Sequence, residues 1–375
     1  MTADILYGYG GTPTSTSLAS VKPYVSWVQT DASYAAQIRA AGIKVDVYTN
    51  FWRNYATDNP SVGYNDLKPG GAHAAAEALD CSGTPIVDAA YGGGYESDAR
   101  SSAAAGHAQV VASYRLGEFG ANYDALFSDD TGAVGGVALP CGFSQSAYVS
   151  ATNAVDQSLA VPMFVNTLGA GSYPDDQVGY AQASNVIGAM CEECYAAYNS
   201  STVDYAIGGA VWQHTEDAEI AMVSSHKIFW DYARAIGDPS AETGLRNFIY
   251  ASFLLTYDPS YAMLQEAFKS ASRFPVMPET GLVPMNPVST ASTVGGYARG
   301  SVYMRDFGAC YYRGTSIGTC AVVVNPTGSS VSIPANSYAH AMSLSGGGVL
   351  DGGSAAFTAP AVTSLGPDSA AVLVQ

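Results

Sequence analysis

Four carboxylates in two adjacent pairs give this chain its clearest chemical signal. Asp129-Asp130 follow the apolar run Ala125-Leu126-Phe127-Ser128 and lead into Thr131-Gly132. Glu192-Glu193 follow Asn185-Val186-Ile187-Gly188-Ala189-Met190-Cys191. A strand that is apolar on both faces belongs inside a parallel sheet, and an acid placed abruptly at its carboxyl end emerges at the rim. Two carboxyls facing one pocket can cleave a glycosidic bond: one stays ionised against the anomeric carbon, and the other holds a proton for the leaving oxygen. Side chains alternate along a strand, so one member of each pair is expected to face the pocket. The choice between Asp129 and Asp130, and between Glu192 and Glu193, stays open. Two blander readings compete. Asp129-Asp130 could cap a helix or turn beside Thr131-Gly132. Four carboxylates could bind calcium, although the D-x-D-x-D-G loop is absent.

Saccharide sites also use aromatic faces and hydrogen-bonding side chains. Asn50, Trp52 and Arg53 follow an apolar strand directly and belong at the same rim, where Trp52 either faces the sugar or seals the barrel mouth against the excursion that follows. Asn166 ends Phe164-Val165-Asn166 and could hold a sugar hydroxyl or orient a carboxylate. Tyr91 and Tyr95, in a glycine-rich stretch, are candidate stacking residues. With Asp130 and Glu193, residues Asn50, Trp52, Arg53, Tyr91 and Asn166 form the expected binding set around the catalytic candidates Asp129 and Glu192. Trp212, His214 and Trp230 read as core or cap. Other schemes lack their motifs: there is no G-x-S-x-G elbow, no phosphate loop after Gly8-Tyr9-Gly10-Gly11, and no H-E-x-x-H among five histidines. No metal and no cofactor is expected.

The elements that must position these residues alternate regularly. Strand-like runs are expected at 5–9, 25–29, 43–49, 125–129, 162–166, 186–192, 227–232 and 261–265. Helices are expected at 32–41, 99–119, 145–159, 210–223 and 241–256. In the last of these, Leu245, Phe248, Ile249, Ser252 and Phe253 form a core-facing stripe. Eight strands interleaved with helices imply an α/β chain built as a (β/α)8 TIM barrel. A further run at 85–91 is read as part of an excursion between strands three and four. Past residue 275 the texture changes. Pro275, Pro278, Pro284 and Pro287 mark a crossing, and short β runs follow at 300–305, 319–325, 330–333, 339–344, 348–350 and 370–374. The expected organisation is a catalytic barrel over 1–275 and a small antiparallel β-sandwich over 276–375, the latter in a stabilising role.

A net charge of −17 argues against nucleic acid and anionic membranes as partners. Only 13% of residues are charged and 26 are tyrosine, a profile that suits a secreted or periplasmic protein whose leader has been removed. Six cysteines permit complete pairing. Cys310 and Cys320 flank a hairpin tip that a disulfide would close easily. Cys191-x-x-Cys194 lacks the companions of a zinc site and the context of a thioredoxin motif, and reads as structural.

The layout resembles the TIM-barrel glycoside hydrolases, in particular the α-galactosidase-type barrels and those related to the endo-α-1,4-polygalactosaminidases. The residues that carry it are Leu126-Phe127-Ser128-Asp129-Asp130-Thr131-Gly132, Gly188-Ala189-Met190-Cys191-Glu192-Glu193-Cys194-Tyr195, and the late Ala321-Val322-Val323-Val324-Asn325-Pro326. The resemblance implies a strand-four nucleophile, matched by Asp129, and a strand-six general acid/base, matched by Glu192. It implies a carbohydrate substrate and a glycoside hydrolase, retaining where the strand-four carboxylate is a nucleophile; between retaining and inverting outcomes the sequence does not choose. The other reading is a noncatalytic carbohydrate-binding barrel.

Overall fold

The computed structural model describes residues 3–5, 13–58, 61–89, 93–132, 138–169, 177–198, 204–268 and 276–375. Tyr91 and the Gly8–Gly11 stretch lie outside them. One sheet runs through the first part of the chain, made of β1 (Ala3–Ile5), β2 (Trp27–Gln29), β3 (Lys44–Thr49), β4 (Ala125–Ser128), β5 (Met163–Gly169), β6 (Val186–Glu192), β7 (Ile228–Ala235) and β8 (Ala262–Phe268). These strands pair in chain order, all parallel. The sheet curls until β1 lies beside β8. Seven of the expected runs, from 25–29 to 261–265, contribute a strand; of the first, 5–9, only Ile5 lies within the described residues, at the end of β1.

Helices cross between the strands: α1 (Ser15–Val21), α2 (Ala32–Ala40), α3 (Ala104–Phe119), α4 (Gln145–Ser158), α5 (Gly209–Ser224) and α6 (Thr243–Thr256). Between β5 and β6 the described residues hold a 3-10 turn, Gln177–Ala181. Helix α1 opens with a reciprocal cap in which Thr14 and Ser17 exchange side-chain and backbone hydrogen bonds.

The inside of the curl is filled, not hollow. Trp27, Ala125, Phe127, Phe164, Met190, Trp230 and Met263 form one buried cluster. Phe164 meets Trp27 edge-on at 5.0 Å, and Trp230 meets Phe127 and Phe164 at 5.4 Å each. Aromatic rings packed edge to face gain about 0.5–1.5 kcal/mol per pair beyond their burial. Gly188 is required where β6 passes this plug. A Cβ there would sit 2.5 Å from the Ile228 carbonyl oxygen and 3.0 Å from the Phe164 ring.

Helix α6 departs from the expected stripe. Phe248, Ile249, Ser252 and Phe253 are buried, but so are Tyr250, Ala251, Leu254 and Leu255 on its other faces. The reason is a second layer outside it. Strands β9 (Leu282–Pro287), β10 (Val302–Tyr312), β11 (Cys320–Asn325), β12 (His340–Ser345), β13 (Ser354–Pro360) and β14 (Ser369–Val374) form an antiparallel sheet in the order β9-β10-β11-β14-β12-β13. Its inner face, with Phe307, Val322, Val324, Val372 and Val374, shares one core with α6. A helix apolar all round is a helix buried all round. Arg305 on β10 reinforces the junction by donating to the carbonyls of Leu255 and Tyr257 at the end of α6, both at 3.0 Å. The outer face of the sheet is covered by a two-stranded ribbon, Val331–Ser332 with Ser364–Leu365, rather than by a second sheet of equal size. The expected strand at 348–350 is instead a 3-10 turn, Val349–Asp351.

The excursion after β3 is a small antiparallel sheet in which Arg53–Tyr55 pairs with Gly94–Glu96, and Gly94–Glu96 with Val87–Asp88. Cys81–Cys141 ties it to the segment after β4, with Cα atoms 4.6 Å apart. Cys191–Cys194 and Cys310–Cys320 are also disulfides, so all six cysteines are paired. Among the described residues, no helix is long and apolar enough to cross a membrane.

Candidate active site

Period-two alternation raises the site directly above the aromatic plug. Asp129 stands two residues beyond Phe127, Asn166 beyond Phe164, and Glu192 beyond Met190, each on the inward side. Tyr232 follows Trp230 in the same way, and Arg234 follows Tyr232. Plug residues are fully packed, so the rim side chains above them stand on a rigid floor.

One amide joins the two acidic strand ends. Asn166 Nδ2 donates to Asp129 Oδ1 at 2.7 Å and to Glu192 Oε2 at 3.2 Å. Those two oxygens therefore lie no more than about 6 Å apart, the sum of the two bonds. Tyr48, at the end of β3, donates its phenol to Asp129 Oδ2 at 2.8 Å. Asp129 is thus gripped through both oxygens, Oδ1 also accepting from the Asp130 backbone N–H at 2.9 Å. Tyr48 stacks on Phe127 with ring centroids 6.1 Å apart, and it is 40% exposed. Its ring faces solvent while its hydroxyl is sunk against the carboxylates.

Glu192 has a different environment. Burial of its carboxyl pushes its pKa up, against the pull of Arg234 and with help from the nearby Asp129 charge. About a third of the side chain is still open to solvent. Arg234 Nη1 lies 2.6 Å from Glu192 Oε1 and 3.1 Å from Glu193 Oε1. The guanidinium also donates to the Tyr198 hydroxyl at 3.1 Å and sits over the rings of Tyr198 and Tyr232.

The expected alternation within each acidic pair fails, and for the same reason both times. Asp130 has φ 51° and Glu193 φ 60°, in the left-handed region that non-glycine residues seldom adopt. Each backbone turns back on itself, so both members of each pair face the rim. The first turn is tied down by Asp129 N–H to the Thr49 carbonyl at 2.8 Å and by Thr131 N–H to the Asn166 carbonyl at 2.8 Å. Asp130 accepts from Asn50 Nδ2 at 2.7 Å and lies 3.5 Å from Arg53 Nη1. Burial and the adjacent Asp129 charge raise its pKa to about 7, against Arg53 and Asn50.

Asn50, Arg53, Asp130, Asn166 and Glu193 are therefore gathered with Asp129 and Glu192, but several serve one another. Asn50 Oδ1 accepts from the backbone of Trp52 and Arg53, which folds the loop, while its amide holds Asp130. Arg53 is a hub for Asp88, Glu96 and Asp130 at 3.2–3.5 Å. Of the two readings of Trp52, the sugar-stacking face is corrected and the sealing role fits. The residue is 3% exposed and packs on Phe51 within the main core, because the excursion closes over it. Tyr48, Arg234, Tyr198 and Tyr232 were not singled out in the sequence. Tyr48 and Arg234 carry a signal in retrospect: Tyr48 continues the inward alternation beyond the buried Asp46, and Arg234 continues it beyond Trp230 and the half-buried Tyr232. Among the described residues, no group of three or more His, Cys, Asp or Glu side chains could hold a metal ion.

No family model matches the sequence, and no curated protein does. Solved structures share the outline. The glycoside hydrolase domain of PelA from Pseudomonas aeruginosa is 12% identical, with 72% of this chain and 95% of that chain covered and a TM-score of 0.47. Ega3 of Aspergillus fumigatus, in complex with galactosamine, is 15% identical over 72% of this chain and 90% of that chain, with a TM-score of 0.43. The family 30 subfamily 8 xylanase Xyn30A from Clostridium acetobutylicum is 12% identical over 100% and 94%, also at 0.43. These are distant likenesses of shape and assign no residue of this chain.

Proposed function

We propose that this chain is a glycoside hydrolase, a (β/α)8 barrel over residues 1–275 buttressed by the β domain of 276–375. It cleaves O-glycosidic bonds of an oligo- or polysaccharide, with Asp129 as nucleophile and Glu192 as general acid/base. The observation that carries this reading is the shared Asn166 amide. It brings Asp129 Oδ1 and Glu192 Oε2 within about 6 Å of each other from separate strands. That separation suits a retaining enzyme, whose carboxyls stand about 5–5.5 Å apart, better than an inverting one at about 6.5–9.5 Å. The two environments also differ in the required sense. Asp129 accepts three hydrogen bonds, from Tyr48, Asn166 and the Asp130 backbone, while burial favours the protonated form of Glu192.

In this reading Glu192 protonates the departing oxygen as Asp129 Oδ attacks the anomeric carbon, and a glycosyl ester forms. Glu192, now ionised, then takes a proton from water, which displaces Asp129 and restores both groups. The exposed ring of Tyr48 is a stacking face for the sugar held there. Complete pairing of the cysteines fits an exported protein.

The test is a panel of nitrophenyl glycosides and polysaccharides offered to wild type, Asp129→Asn and Glu192→Gln. Sugar release by wild type, lost by about a thousandfold or more in both variants, is the expected outcome. Saccharide binding without release by wild type would instead make the barrel a noncatalytic binding protein.

A further inference from the structure

The disulfide Cys191–Cys194 encloses the acidic pair itself. Its two cysteines bracket Glu192 and Glu193, so the ring spans a single four-residue turn at the end of β6. Both cysteines point away from the rim into the main core, 1% and 0% exposed. Their Cα atoms are 5.7 Å apart, far less than four extended residues would span. Within the ring Glu193 takes its left-handed φ of 60°, and Tyr195 just beyond takes 63°. A hydrogen bond from Glu193 N–H to the Tyr232 carbonyl, at 2.9 Å, pins the turn to β7. The consequence is that two consecutive glutamates reach the same guanidinium nitrogen of Arg234, at 2.6 and 3.1 Å. Consecutive residues of a regular strand could not do this, because their side chains diverge.

We propose that Cys191–Cys194 and Glu193 are positioning residues: the staple forces Glu193 onto Arg234, so that the guanidinium is shared and does not act on Glu192 alone. An arginine held by one carboxylate stabilises that carboxylate's charge and makes it a poor proton donor. A second carboxylate on the same guanidinium offsets that pull. The groups facing Glu192 are Asp129 and Asp130 from the end of β4, Asn166 from β5, and Tyr232 and Arg234 from β7. Tyr198 lies beyond β6, and Tyr48 acts through Asp129. Of these Arg234 is the cation, and the Glu193 charge works against it on Glu192. Because both sulfurs are buried, the staple is a fixed part of the site and not a surface switch.

This inference rests on Glu192 being the proton donor, but it can be measured without substrate. The experiment follows the carboxyl titration of Glu192 by carbon NMR in wild type, Glu193→Gln, and the double variant Cys191→Ser/Cys194→Ser, with Glu192→Gln to assign the signal. The expected result is a midpoint lowered by about half a pH unit or more in Glu193→Gln, and lowered in the same direction in the serine pair, where Glu193 is free to swing away. An unchanged midpoint in Glu193→Gln overturns the proposal, as does an unchanged midpoint in a folded serine pair. If the serine pair does not fold, a glycine inserted between Glu193 and Cys194 keeps the bond but widens the turn. It must lower the midpoint too, or the staple has no positioning role. Lowered midpoints in a protein without glycosidase activity would leave the sharing of Arg234 in place and remove the catalytic reading. Activity with unshifted midpoints would do the reverse.

Discussion

Tyr48 and Asp129 meet across adjacent strands, the phenol of one donating to Oδ2 of the other at 2.8 Å. Asn166 occupies the opposite oxygen, so removal of the Tyr48 hydroxyl leaves Asp129 held on one side only. A hydrogen bond to a charged group contributes about 1.5–3 kcal/mol, which corresponds to about a ten- to hundredfold change in rate when the charge is the nucleophile. Tyr48→Phe should lower kcat by that factor while leaving thermal unfolding nearly unchanged, because the ring still stacks on Phe127. Steady-state kinetics on the best substrate, beside a thermal melt, read both effects.

Stability should fall as pH rises. Asp46, buried and bonded to Gln29, is raised to about 7. Glu96 and Asp130 are also raised to about 7, and Glu219, buried near Glu216, to about 8. Burial is the leading cause each time. In the unfolded chain such groups titrate near roughly 4. The folded state therefore binds more protons between those values. The stabilisation is fully present below about pH 4 and is lost as pH climbs through 7 to 8. Calorimetry at pH 5 and pH 9 should give a lower Tm at pH 9, by about 5 °C or more. An equal or higher Tm at pH 9 would show that these carboxyls are ionised in the folded protein at neutral pH.

The junction of helix and β domain depends on one buried ion pair. Arg246 of α6 grips Glu279 through two bonds, at 2.8 and 2.6 Å, and donates to the carbonyls of Pro239 and Gly346. Both side chains are fully buried. Arg246→Ala would leave Glu279 as an unpaired charge in the interior, at a cost of about 3–5 kcal/mol. Urea unfolding should show that loss. An Arg246→Ala/Glu279→Ala double variant should be less unstable than the sum of the two single changes, because the stranded charge goes with its partner.

Much of this architecture is legible in the residues alone, because buried parallel strands are short, apolar on both faces and set between turns. The polar ends of those strands are harder to read. β7 continues to Ala235, three residues past the expected end, because Arg234 is a charged residue inside a strand, and charge usually marks an exit. It is tolerated there because two glutamates and two tyrosines receive it. The left-handed turn at Glu193 has no local signal either, and the one at Asp130 is foreshadowed only by the turn-prone Asp129-Asp130-Thr131-Gly132. Neither is glycine or asparagine, and only the surrounding bonds hold them there. Trp52 stays ambiguous in the sequence: it follows a rim strand, and the folding of the excursion over it is a long-range event. The all-round burial of α6 was hidden because its stripe is real and the second sheet arrives later in the chain.

Chemical rescue with azide tests the assignment of Asp129 and Glu192 most directly. With the nucleophile shortened in Asp129→Gly, azide should restore turnover by attacking the anomeric carbon from the vacated side, giving a glycosyl azide of inverted configuration. In Glu192→Ala the glycosyl ester still forms on an activated substrate, and azide should discharge it with retained configuration. Proton NMR of the two products reads the anomers. Inverted product from the first variant and retained product from the second is the expected pair. Rescue of neither, or the opposite anomers, would contradict a retaining mechanism run by these two carboxylates.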